Sequence, residues 1–144
     1  MNLNILSTLT GLTIKDPRSV IDRGFIGNSV TTANCLMKTF EVHSICNGTV
    51  LAVEQEPKTN HWCVTVGVNS QQWVRYCGLA NSKVKVGQSI SIDTFIGYGY
   101  KGLMRFEYCT PKTSQFPVRV LNQQFYKQDP SPILFGQEQL LEDA

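Results

Sequence analysis

The chain has 144 residues, 42% hydrophobic and 17% charged, with a formal net charge of +2. That length fits one domain, burying roughly two-thirds of the surface its unfolded chain would expose. So small a charge, with no Lys/Arg cluster longer than two residues, argues against nucleic-acid or anionic-membrane binding, and no apolar run approaches the ~18 residues of a membrane span.

The start, Met1 to Thr10, lacks the basic flank and continuous apolar core of a signal peptide, so folding is expected in a cytoplasm. Five cysteines, Cys35, Cys46, Cys63, Cys77 and Cys109, share no C-x-x-C spacing. Their number is odd, which suits small half-buried hydrophobes in a reducing compartment better than a zinc ribbon.

In chain order, residues 1–30 read as an N-terminal arm. Leu6, Leu9, Leu12 and Ile14 hint at amphipathicity, but Gly11 and the Lys15-Asp16-Pro17 turn interrupt it. From Val30 to His43 the pattern is mixed, with Leu36, Met37, Phe40 and Val42 as core candidates. Cys46-Asn47-Gly48 has the chemistry of a tight reversal, since Asn and Gly tolerate positive φ. Thr49 to Val53 then reads as a strand, and Glu54 to Asn60 as a polar loop.

Trp62, Val64, Val66 and Val68 alternate with Cys63, Thr65 and Gly67, the period of a strand with one buried face. Asn69 to Gln72 predicts a hairpin loop and Trp73 to Leu79 the return strand. Lys83 to Ile92 alternates cleanly around Gly87. Gly97, Gly99 and Gly102 with Tyr98 and Tyr100 predict a flexible aromatic loop before a strand over Leu103 to Glu107. Val118 to Leu121 predicts a last short strand, and residues 122–144 an extended tail, helical after Gly136. Strands about every ten residues, with no long amphipathic helix between them, predict an all-β, antiparallel sandwich or barrel-like domain over residues 31–121.

The order of these features resembles the lysostaphin-type (M23, LytM-like) zinc endopeptidases. Val42 to Val50 is similar to the family's opening around a D/N-G turn, Val64-Thr65-Val66 to its V-x-I strand, and Tyr76-Cys77-Gly78-Leu79 to its Y-x-H-L return. Val84 to Ile90 resembles V-x-x-G-Q-x-V, Ile96-Gly97 the I-G step, and Leu103 to Glu107 the closing H-L-H-F-E. Asp129-Pro130-Ser131-Pro132-Ile133-Leu134 resembles a D-P-x-P-x-L tail of members found in phage tails. The resemblance implies a compact antiparallel β-fold used to cut peptide cross-links in bacterial cell walls.

It also implies where chemistry would sit. Members hold zinc with an upstream His and Asp and the second closing-motif His. The first closing His and the Y-x-H-L His handle the attacking water. In this chain those last three positions are Arg105, Leu103 and Gly78, and no His, Asp or Glu occurs from Gly24 to Phe40. A hydrolytic zinc site needs about three protein ligands and an open position, so the expectation is a non-enzymatic domain without cofactor.

His43 and His61 are the only histidines. They read either as a relocated metal pair with Cys46 or Cys63, or as unbound residues. By strand periodicity Arg105 shares a face with Leu103 and Glu107, and Met104 shares the other with Phe106. The resemblance implies that Met104 and Phe106 face the core and Leu103 and Arg105 the old substrate groove. Arg105 would hold an anion or a partner's carboxylate there, or pair with Glu107. Trp62, Trp73, Tyr98 and Tyr100 read as groove-lining aromatics or as ordinary packing.

The leading functional expectation is a structural component of a phage tail tip or baseplate, or of a phage-like contractile particle. It would reside in the virion beside other tail proteins or further copies of itself, without nucleic acid or membrane. Arg105, Trp73, Tyr98 and Tyr100 would be its contact residues. The alternative is a degenerate LytM-like regulator that activates a cell-wall amidase or binds peptidoglycan. A rearranged active endopeptidase is the third reading.

Overall fold

The computed structural model describes residues 21–22, 26–28, 39–100 and 104–130, with the backbone alone for Ile21–Asp22, Ile26–Asn28 and Phe40. The described strands are β1 (Ile21–Asp22), β2 (Ile26–Asn28), β3 (Thr39–His43), β4 (Gly48–Gln55), β5 (Trp62–Asn69), β6 (Gln72–Leu79), β7 (Ser89–Ile90), β8 (Phe95–Tyr100), β9 (Arg105–Thr110), β10 (Pro117–Val120) and β11 (Gln123–Gln128). All pairings are antiparallel, in a curled sheet whose main path runs β1-β2-β9-β6-β5-β4-β7. The all-β antiparallel expectation holds, and no helix lies among the described residues.

The period-two pattern sorts side chains as expected. Val64, Val66 and Val68 of β5, Val74 and Tyr76 of β6, and Met104 and Phe106 beside or on β9 are buried in one core with Val42, Leu79 and Ile96. A second cluster forms on the opposite face. There the β10–β11 hairpin folds Val118, Val120 and Phe125 over Ala52, Trp73 and Cys109. That hairpin covers one end of the outer face of β6 and β9 and leaves the other end to charged residues.

Several local expectations change. Asn47 and Gly48 do not form a positive-φ reversal, since positive φ among non-glycines falls at Asn60, Asp93, Leu121 and Asn122. Gly48 instead permits close packing, as a Cβ there would lie 2.6 Å from the Gly67 carbonyl oxygen. Tyr98, Gly99 and Tyr100 continue the strand Phe95–Tyr100 rather than forming a flexible loop, because β3 pairs along its length. Conversely, only Ser89–Ile90 of the alternating 83–92 stretch is strand, the segment before it being a turn closed by Gln88 N–H to the Lys85 carbonyl.

The sheet also outruns the 31–121 boundaries. β2 pairs Ile26, Gly27 and Asn28 with Glu107, Phe106 and Arg105. β11, inside the expected tail, pairs with both β10 and β9. Its turn, Leu121–Asn122, has positive φ at both positions, the geometry that matches the twist of hairpin strands. Leucine is a poor marker for such a turn, so β11 left little local signature. Leu103, residues 1–20 of the expected arm and residues 131–144 of the tail lie outside the described residues.

Candidate functional site

The charged end of the outer face is built from β5, β6 and β9. Register places Thr65 opposite Arg75, and Arg75 opposite Glu107. Two residues along, Cys77 faces Arg105. In antiparallel strands such opposed residues stand on one face within side-chain reach, so a charge on any of them meets the next.

Glu107 is fully buried, and an isolated buried carboxylate would be costly. Its cost is offset by three cations. Arg75 Nη1 donates to Oε1, while Arg105 Nε and Lys127 Nζ each lie 3.3 Å from Oε2. Arg75 Nε also donates to the Thr65 hydroxyl at 3.1 Å. Burial pushes the Glu107 carboxyl upward, but Arg75, Lys127 and Arg105 together outweigh it and hold the group below the ordinary carboxylate range. Arg105 reaches further, with Nη2 donating to both Glu56 oxygens at 3.1 and 3.2 Å. The group is a chain of alternating charges across β6, β9, β11 and the β4–β5 loop.

Arg105 therefore pairs with Glu107, as one reading expected, and also with Glu56. Its carboxylate partners come from this chain itself. Cys109 sits beside the cluster, its thiol pushed up to about 12 chiefly by burial, which keeps it protonated and unreactive at neutral pH.

Gly78 has φ 73°. Cys77 and Gly78 together oppose Cys63, between the pairs Trp62–Leu79 and Val64–Tyr76. That is a bulge with glycine in the left-handed region, where a side chain is disfavoured. The backbone at the Y-x-H-L position is thus shaped for glycine, not histidine.

The bulge also brings Cys63 and Cys77 together as a disulfide. This corrects the expectation of free thiols for both, while Cys46 and Cys109 are buried and Cys109 is a free thiol. The signal was in the sequence: the two cysteines stand almost symmetrically about the Ser70–Gln71 turn, and one bulge residue makes up the difference.

Of the aromatic candidates, Trp73 is 2% exposed and stacks on Phe125 at 3.8 Å, so it is core and not groove lining. Trp62 packs half-buried against the main core. Tyr98 is exposed and Tyr100 half-buried, with His61 tilted on the Tyr100 ring at 4.7 Å. His43 lies on Phe95 at 5.6 Å. Cys63 is in the disulfide, and Cys46 is buried in a turn tied to Tyr76, whose hydroxyl accepts from the Ile45 N–H. Burial, above all, raises the Tyr76 hydroxyl well above its ordinary value. The relocated metal pair is not assembled, and among the described residues no group of three or more His, Cys, Asp or Glu is placed to hold a metal ion.

The residues that sequence reasoning missed are Glu56, Arg75 and Lys127. Arg75 carried a signal, because a charge at the parity of Trp73 and Cys77 on a strand so apolar requires a buried partner. Glu56 and Lys127 carried none.

No family model matches the chain, and no curated protein matches it. Among solved structures it is similar to lysostaphin in solution, at 17% identity and TM-score 0.51 over 74% of this chain and 42% of that one. It is also similar to the lysostaphin catalytic domain from Staphylococcus simulans, at 20% identity and TM-score 0.46 over 65% and 69% of the two chains. A third likeness is to the catalytic domain of the prophage-encoded M23 protein EnpA from Enterococcus faecalis, at 17% identity and TM-score 0.45 over 50% and 60%. The chain thus spans about three-fifths of the EnpA domain and under half of the lysostaphin chain in solution. The fold is lysostaphin-type.

Proposed function

We propose that this domain is a non-enzymatic structural component of a phage tail tip or baseplate, or of a phage-like contractile particle, on a catalytically inactive lysostaphin-type fold. The observation that carries the loss of chemistry is the state of Arg105. Its guanidinium is always protonated, and it stands where the resemblance puts a metal-binding histidine. Glu56 and Glu107 hold it there. The donor set does not fit zinc, since this position supplies a cation and the Gly78 backbone disfavours a histidine.

Attribution to a tail rests on the likeness of residues 129–134 to phage-tail members of the family. The neighbours would be other tail proteins or further copies of this chain. The second reading, a degenerate regulator of a cell-wall amidase at the envelope, is equally compatible with one observation. The Cys63–Cys77 disulfide suits oxidising surroundings, which include cell surfaces and the periplasm as well as virion surfaces.

The test is where the protein is found. Immunoblots of purified intact particles and of envelope fractions, with zinc measured by elemental analysis, separate the readings. Recovery in particles without stoichiometric zinc supports the structural role. Recovery in the envelope, with stimulation of an amidase, replaces it by the regulator. Stoichiometric zinc with cleavage of peptidoglycan overturns both.

A further inference from the structure

We propose that the outward face of the β3–β8 ribbon binds a primary ammonium group, such as a lysine side chain of a partner polypeptide, at a corner formed by Glu41, His43, Phe95 and Tyr98. The four residues come together by register. Glu41 pairs with Tyr98 and His43 with Phe95, across a bulge that turns Phe95 to the same side as Tyr98. Phe95 and Tyr98 meet edge to face, 5.2 Å between centroids at 79°. His43 lies 5.6 Å from Phe95, with the rings tilted by 37°. Tyr98 is 37% exposed, and the Glu41 side chain 57%.

The chemistry of the corner is one-sided. His43 Nδ1 lies 2.9 Å from the Asp93 carbonyl oxygen, which only accepts, so Nδ1 carries the proton. A neutral imidazole then presents the Nε2 lone pair, 3.7 Å from a Glu41 carboxylate oxygen. In that tautomer Nε2 and the carboxylate oxygen both act as acceptors. The ring faces of Phe95 and Tyr98 add two more negative surfaces.

What such a corner lacks is a cation with hydrogens to donate. An ammonium has three N–H donors, enough for Glu41 and Nε2, while its charge lies against an aromatic face. A metal ion suits the corner less well, because only two ligand atoms are offered and the rings cannot coordinate it. This site stands apart from the Arg105 cluster, and the inference does not depend on the loss of hydrolase chemistry.

The probe is Nα-acetyl-lysine methylamide, titrated into the protein at pH 8, where imidazoles are largely neutral. Its norleucine analogue serves as the uncharged control. Aromatic resonances of His43, Phe95 and Tyr98 should shift saturably with the lysine compound and stay still with norleucine. Glu41→Gln and Tyr98→Ala change exposed side chains, so both variants fold, and each weakens binding about threefold. Equal shifts with norleucine, or no saturation up to the solubility of the probe, would overturn the proposal. So would a protonated His43 Nε2 in the free protein at pH 8 with no response to lysine, because the proton would then be the cation the corner takes.

Discussion

The two faces of β9 and β6 are made by the same strands and held by different forces. On the inner face Phe106 and Val74 are held by non-directional burial, and the Tyr76 ring is buried with them while its hydroxyl accepts from the Ile45 N–H. On the outer face Glu107, Arg75 and Arg105 are fixed by directed, charge-assisted contacts. The inner face serves any protein with this fold. The outer face carries an internal ion network, in which Glu107 is the shared counter-charge of Arg75, Arg105 and Lys127.

The contrast can be broken from either side. Truncating the inner face should cost most: Phe106→Ala is expected to lower unfolding free energy by about 4 kcal/mol in urea denaturation, through lost burial and the cavity left behind. A loss below that of any outer-face variant would show that the ion network, not the apolar layer, dominates the sheet.

Next comes Glu107→Gln, expected to cost about 3 kcal/mol because three cations lose a buried counter-charge. This variant also tests pH dependence. The folded Glu107 carboxyl is held below the ordinary value of 4.5, so the unfolded chain takes up the proton first. Its stabilisation is full above the unfolded carboxyl's range and is lost as pH falls through the lower folded value. The wild type should weaken on acidification below about pH 4.5, and the Gln variant should show a flatter profile there. Equal acid sensitivity in both would remove Glu107 from this role.

Arg105→Ala is expected to cost 1 kcal/mol or less. Its side chain is 28% exposed, solvent screens its pairs, and Arg75 and Lys127 still face Glu107. A loss matching that of Glu107→Gln would make Arg105 the centre of the network. The smallest effect is expected from the double variant Leu103→His, Arg105→His. Restoring both closing-motif histidines should produce no stoichiometric zinc by elemental analysis, since residues 24–40 supply no His, Asp or Glu to complete the site. Tight zinc binding by this variant would mean the remaining ligands come from elsewhere in the fold.

Much of the sheet was readable along the chain. Alternation over Trp62 to Val68 and over Leu103 to Glu107 announced strands and put Met104 and Phe106 on one face, because the side-chain period of a strand is local. The family resemblance made that face the core. Turn chemistry was a weaker guide. Asn47-Gly48 promised a reversal that does not form, whereas Leu121–Asn122 makes one without the usual residues, and β11 was lost with it. The glycines from 97 to 99 suggested a loop, yet pairing with β3 makes them strand. Local preference was overridden there by a long-range partner.

The sequence by itself determined that this is an antiparallel β-domain and which side chains line its core. It also determined that the positions matching a zinc peptidase carry Gly78, Leu103 and Arg105. Only the tertiary structure decided what Arg105 does. Its partner Glu56 is 49 residues away, and Arg75 meets Glu107 across 32. It likewise decided that Cys63 and Cys77 join and that Trp73 is sealed under Phe125. The physical reason is range. Alternation is a property of neighbours along the chain, whereas charge pairing and disulfides depend on which strands the curl of the sheet brings side by side.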